Sequence, residues 1–197
     1  MGLQNLATRP SRACGPSRHA DALLPDLTGA GREQLNAVYG DPPQLGECFA
    51  DLVVAHELTH LFHEYDEATG LTDFPRLWVA ELFANIGMHG YITEVEPDQL
   101  PALETICQLT TEAPSARWAV RELNRMEESL ADGPLNYVWF QLGLIVIAKS
   151  IWEAGGVTAF RAFSDTLRRR DLSDEQILEA VRAIAPEAQR ALRDWPT

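Results

Sequence analysis

Residues 47–62 read ECFADLVVAHELTHLF, and this stretch decides the fold prediction. Its apolar side chains recur at helical spacing, which predicts a strongly apolar helix of about 20 residues that ends before Gly70. Helical spacing continues downstream, and only the short runs at 53–54 and 91–95 are typical of strands. We therefore expect a mainly α domain over residues 47–197.

The first 46 residues differ from the rest of the chain in composition. Proline and glycine punctuate them densely, which predicts an irregular N-terminal segment over residues 1–46 with one short helix near 33–38. Downstream, glycine, proline and capping residues predict helices near 72–90, 98–109, 115–130, 135–154, 157–170 and 173–184, and from Pro186 onward. At 197 residues the chain fits one domain with a tail.

The chain is acidic, with a formal net charge of −13 at pH 7. This charge disfavours nucleic acid as a partner and an anionic membrane as a surface, because both attract basic groups. The most apolar run, residues 138–148, is too short to cross a bilayer and predicts a buried core helix. Three widely spaced cysteines without a CxxC pair are typical of reduced thiols, and no signal peptide is recognisable, so we expect a cytoplasmic protein.

The run His56-Glu57-Leu58-Thr59-His60 contains the motif HExxH. On a helix, residues four apart lie on one face, so both imidazoles can bind one zinc ion at about 2.0–2.1 Å. Glu57 lies about 100° around the helix from His56, where it can act as general base for a zinc-bound water. The alternative is two surface histidines beside a solvated glutamate. The apolar flanks favour the metal site, because burying these polar groups without a ligand is unfavourable.

A catalytic zinc site needs a third protein ligand and an open position. Four downstream side chains could supply that ligand: His63, Glu64, Glu81 and His89. His63 lies about 10.5 Å along the helix axis from His56, at about 1.5 Å per residue. One ion held by His56 and His60 cannot easily reach it, so we expect His63 to line a groove instead.

Glu81 is the candidate that the spacing favours as third ligand. It follows His60 by 21 residues, beyond a turn at Gly70, which leaves room for a second helix to return antiparallel to the first. Asn85, one turn after Glu81, can accept the free ring N–H of a ligating histidine. The alternative for Glu81 is an ordinary surface carboxylate, which the apolar residues around it disfavour.

Residues 78–84, WVAELFA, are similar to the segment that bears the third zinc ligand in aminopeptidase N-like enzymes. The Glu81-x-x-x-Asn85 spacing resembles that of the thermolysin group. Together with HExxH, residues 50–95 resemble the gluzincin superfamily of zinc metallopeptidases. The resemblance implies one zinc ion held by His56, His60 and Glu81, a peptide or protein substrate, and a water activated by Glu57.

A looser resemblance lies at Tyr137, which follows Glu81 by 56 residues. Aminopeptidase-like enzymes carry a tyrosine at the head of a helix in this region, and its phenol stabilises the oxyanion of the reaction. The resemblance implies that role for Tyr137. The equal alternative is a core tyrosine at the start of a helix.

The chain also departs from the gluzincin pattern. No sheet pattern precedes the HExxH helix, the Gly-x-Met-Glu-Asn segment that holds a free amino terminus is missing, and Leu82 stands where a small residue is usual. We therefore expect a zincin-like helical catalytic domain whose N-terminal sheet is reduced or missing. Its expected function is zinc-dependent hydrolysis of peptide bonds. The alternatives are a non-catalytic or degenerate zinc-binding helical domain with a structural or interaction role, and a helical interaction domain with an accidental motif.

Overall fold

A computed structural model describes residues 28–40, 45–64, 76–112, 115–131, 134–169 and 171–196 of the chain. The α-helices in these residues are α1 (Gly29–Tyr39), α2 (Leu45–Glu64), α3 (Leu77–Val95), α4 (Leu100–Glu112), α5 (Pro134–Leu167), α6 (Asp174–Ile184) and α7 (Pro186–Arg193). Short 3₁₀ helices cover Pro97–Gln99, Ser115–Arg117 and Leu123–Leu130. The described residues contain no strand, and the prediction of a mainly α fold is confirmed.

The core is built around α3 and α5. α3 has buried residues around most of its surface, as is typical of a helix enclosed by its neighbours, and Val79, Leu82 and Ile86 are fully buried. α5 contributes Phe140 and Leu144 to the same core. α2 packs on α3, while α4 and α6 pack on α5. Polar side chains on α3 are therefore held inside the protein, where they need hydrogen-bond partners.

α5 runs over 34 residues, where the sequence predicts two helices separated at 155–156. Gly156 adopts φ 56° and ψ −135°, so the helix kinks at this glycine and then resumes. The apolar run 138–148 is thus part of a longer core helix, in which Leu144 and Ile151 are fully buried. By length and composition alone, Leu135–Leu167 is also apolar enough to cross a membrane, a criterion that core helices of globular proteins can meet.

Residues 115–130 do not form the single helix that the sequence predicts. Two 3₁₀ segments flank an irregular stretch at 118–122. Asn136 on α5 explains the break, because its side chain donates to Val120 O at 2.9 Å and accepts from Val120 N at 3.0 Å. This carboxamide satisfies the two backbone groups that a helix would pair along its own axis.

Several predicted helix ends are confirmed and others shift. The capping box of Ser173 and Gln176 begins α6, and Pro186 begins α7. α3 continues beyond its predicted end to Val95, and α1 is longer than the short helix predicted near 33–38. α2 begins at Leu45, inside the predicted irregular segment. The rest of that segment, residues 1–27 and 41–44, and the predicted helix start at 72–75 lie outside the described residues.

Candidate metal centre

Two neighbouring helices bring three potential metal ligands together. His56 and His60 lie one turn apart on α2, and Glu81 lies on α3, which packs against it. His56 Nε2 is 3.0 Å from Glu81 Oε2 and 3.2 Å from His60 Nε2, and His60 Nε2 is 3.7 Å from Glu81 Oε2. These separations bracket ~3.3 Å, the distance between ligand atoms around a tetrahedral zinc with bonds of ~2.05 Å. The three side chains therefore fit zinc, and within the described ranges they are the group that could hold a metal ion.

The Glu81 carboxylate is buried, with 6% of the residue exposed. Burial alone would raise the pKa of Glu81, but hydrogen bonds with His56, His60 and Gln141 outweigh it and hold the pKa well below its usual range. The carboxylate therefore stays ionised, which is the form that binds a cation. A buried, ionised carboxylate beside two imidazoles is a set of groups that could hold a metal ion.

Close packing of α2 on α3 allows this convergence. Gly87 on α3 faces Thr59, which lies on α2 between the two histidines. A Cβ atom on Gly87 would come within 2.9 Å of Thr59 Cβ, and closer still to the Oγ1 and Cγ2 atoms of that threonine. Only glycine leaves room for this approach, so the position sets the distance between the two ligand-bearing helices.

Asn85 holds His56 from the side opposite the carboxylate. Its Oδ1 lies 2.8 Å from His56 Nδ1, and because an amide oxygen can only accept, the ring donates there. The free ring nitrogen, Nε2, then faces Glu81 and His60. The structure thus brings Asn85 and His56 together in the arrangement that the sequence spacing predicts for the support of a metal-ligating histidine.

Gln141 on α5 is a fifth polar side chain at this site, and the motif spacing does not single it out. Its Nε2 donates to Glu81 Oε2 and, at 2.7 Å, to Tyr137 Oη. Its Oε1 accepts from Asn85 Nδ2 at 3.0 Å. One signal in the sequence could have pointed to it: Gln141 is the only polar side chain in the apolar run 138–148.

Glu57 and Tyr137 face a single cavity of about 240 Å³ that His56 also lines. Glu57 is exposed, and Tyr137 is partly buried. Burial, followed by the negative charges of Glu81 and Glu57, raises the pKa of Tyr137, so its phenol stays protonated and able to donate a hydrogen bond. The two side chains expected to be catalytic therefore share one cavity with a candidate ligand.

Of the remaining ligand candidates, His89 is described by the structure and does not join this group. His89 lies on α3 two turns beyond Glu81, and its Nε2 is 3.5 Å from Glu104 Oε1, which also pairs with Lys149 at 2.9 Å. His63 and Glu64 belong to α2, but their side chains lie outside the described part of the structure. The predicted groove position of His63 therefore stays a prediction.

Comparison of the chain with known proteins gives no match among models of protein families, curated proteins or solved structures. The resemblance to gluzincins thus remains an expectation from the sequence.

Proposed function

We propose that the chain is a zinc-dependent metallopeptidase of the gluzincin type, which hydrolyses peptide bonds. The observation that supports this most strongly is the convergence of His56, His60 and Glu81 at separations of 3.0–3.7 Å. The position of Glu57 on the cavity beside them adds a group that a purely structural metal site does not need.

Zinc held by three protein ligands keeps an open position, where it would acidify a water molecule and polarise a carbonyl group. Glu57 is the base that takes a proton from the attacking water, since its carboxylate lines the cavity and remains exposed. It then gives that proton to the amide nitrogen, which leaves as an amine when the C–N bond breaks. Tyr137 keeps its proton and can donate a hydrogen bond to the oxyanion that forms on the carbonyl oxygen. Asn85 accepts a hydrogen bond from His56, and Gln141 donates one to Glu81.

The proposed substrate is a peptide chain with an apolar side chain near the cleaved bond. The cavity beside Glu57 is lined mainly by apolar groups, among them Val53, Met88 and Ile145. Its volume of about 240 Å³ suits one side chain rather than a large cofactor.

We also propose a cytoplasmic protein with no nucleic-acid or membrane partner, in keeping with the net charge of −13 and the free thiol of Cys107.

A second candidate is a zinc-binding helical domain without catalytic activity. The observation that favours it is the lack of any strand among the described residues that could pair with a peptide backbone. Both candidates require zinc, so they differ only in what Glu57 and the cavity do.

The experiment that separates them compares the wild type with Glu57→Gln on a broad peptide library, with zinc content measured for both proteins. Glu94→Gln is the matched control, because Glu94 is an exposed glutamate on α3. We expect Glu57→Gln to keep its zinc and to lose about 10²–10⁴-fold in turnover, the usual contribution of a general base, while Glu94→Gln cleaves like the wild type. If the wild type and Glu57→Gln hold zinc and are equally inactive, the peptidase function is wrong and the second candidate stands.

A further inference from the structure

We infer that Gln141 is a positioning residue of the metal centre, whose carboxamide orients two ligands from different helices at once. The inference rests on the proposed zinc site and names a residue that the HExxH motif and the glutamate spacing do not include. It follows from the direction of each hydrogen bond around the site.

The contacts form a closed ring across three helices. His56 on α2 contacts Asn85 on α3 at 2.8 Å, and Asn85 contacts Gln141 on α5 at 3.0 Å. Gln141 in turn contacts Glu81, and Glu81 returns to His56 at 3.0 Å. Asn85 is 1% exposed, so water has little access to replace these bonds. Each member of the ring therefore constrains the next.

The two hydrogen bonds that Gln141 makes within the ring set its direction. Gln141 turns its NH₂ group toward Glu81 Oε2 and its oxygen toward Asn85 Nδ2. Asn85 must then donate to Gln141 and present its own oxygen to His56. His56 must donate from Nδ1, which leaves Nε2 available for a metal ion.

The ring brings potential ligand atoms from different helices together. His56 Nε2 and Glu81 Oε2 lie 3.0 Å apart, and His60 Nε2 lies 3.2 Å from His56 Nε2. His56, His60 and Glu81 are the residues that would hold a zinc ion here. Gln141 thus favours zinc binding by holding His56 and Glu81 in place, although it is not itself a candidate ligand.

Gln141→Met tests the inference, because methionine has a similar length and volume but makes none of the three hydrogen bonds of Gln141. Affinity for zinc is measured by competition with a chromophoric chelator, and the visible spectrum of the Co²⁺-loaded protein reports the coordination geometry. We expect the zinc Kd to rise about 10–100-fold, as is usual when a group that orients a ligand is lost. We also expect the cobalt spectrum to change.

Asn136→Leu is the matched control. Asn136 is a buried carboxamide on the same helix, and its two hydrogen bonds go to the backbone of Val120 rather than to the site. We expect this variant to unfold at lower temperature while its zinc affinity and cobalt spectrum equal those of the wild type. A purely structural role of Gln141 would give the same pattern for Gln141→Met, and that result would overturn the inference.

A second measurement does not require the variant to fold. In the wild type, the side-chain NH₂ protons of Gln141 should exchange with solvent at least about tenfold more slowly than those of the exposed Gln34. Equal exchange rates would overturn the inference. A wild type that binds no zinc would overturn the proposed function as well, whereas equal zinc affinity of wild type and Gln141→Met would overturn only the role of Gln141.

Discussion

Gly87 sets the distance between α2 and α3, and Gly87→Ala tests whether that distance holds the metal centre together. The new Cβ atom would lie less than 2.9 Å from Thr59, whereas carbon atoms pack best at about 3.5–4.0 Å. The two helices must therefore separate by about 1 Å. Ligand atoms that now lie 3.0–3.7 Å apart would move out of reach of one ion, because metal sites tolerate about 0.2 Å.

The expected magnitude follows from the same contact. Overpacking of this kind costs about 1–3 kcal/mol. The metal-free variant relieves part of that strain by separation of the helices and gains up to about 1 kcal/mol because alanine is a better helix former than glycine. Zinc draws the helices together and restores the clash, so binding should weaken by about 1–3 kcal/mol, or about 5–150-fold in Kd.

The assay combines a zinc titration with thermal unfolding of the metal-free protein. Gly155→Ala is the control, because its Cβ would make only an ordinary contact, 3.4 Å from Ala159 Cβ. We expect Gly87→Ala to lower the unfolding temperature of the metal-free protein by a few degrees at most, since about 1 kcal/mol of destabilisation corresponds to about 2–4 °C for a chain of this size. In free energy, we expect the loss of zinc affinity to be larger than this loss of stability. Thr59→Ala in the same background should recover part of that affinity. If Gly87→Ala binds zinc as tightly as Gly155→Ala, helix spacing does not control the site.

Two further predictions concern Tyr137 and His89. Tyr137→Phe should lower peptidase turnover and leave zinc affinity unchanged, because the phenol lines the cavity without being a candidate ligand. A loss of zinc in this variant would contradict the role of Tyr137 as a hydrogen-bond donor that does not bind the metal. Burial, only partly offset by Glu104, lowers the pKa of His89 below its usual 6.5. The unfolded chain therefore binds a proton at His89 more readily than the folded chain, and the free energy of unfolding should fall as the pH drops below about 6.5. Urea unfolding of the metal-free protein between about pH 5 and pH 8 should show that the free energy of unfolding depends less on pH in His89→Gln than in the wild type. An equal pH dependence in the two proteins would contradict this prediction.

Local patterns predict much of this fold and of the candidate site. The helices that carry His56 and Glu81 follow from apolar spacing, and the contact between His56 and Asn85 follows from the placement of side chains one helical turn apart. These features depend on residues close in sequence or on two consecutive helices.

Features that depend on distant packing are not predictable from the same patterns. Gln141 reaches the site because α5 crosses α3, and its partners Asn85 and Glu81 lie 56 and 60 residues earlier in the chain. The break in the helix predicted at 115–130 depends on Asn136, which captures the backbone of Val120 from a following helix. Periodicity describes one helix at a time and carries no information about which polar side chain of another helix will reach it.

The zinc content of the purified 197-residue chain tests most directly whether His56, His60 and Glu81 hold one ion. The protein is incubated with excess zinc, freed of loosely bound metal by gel filtration and analysed for metal per chain. We expect about one zinc ion per wild-type chain, with little retained by Glu81→Ala and a normal content in His63→Ala. A zinc content near zero in the wild type, unchanged by added zinc, would contradict the claim.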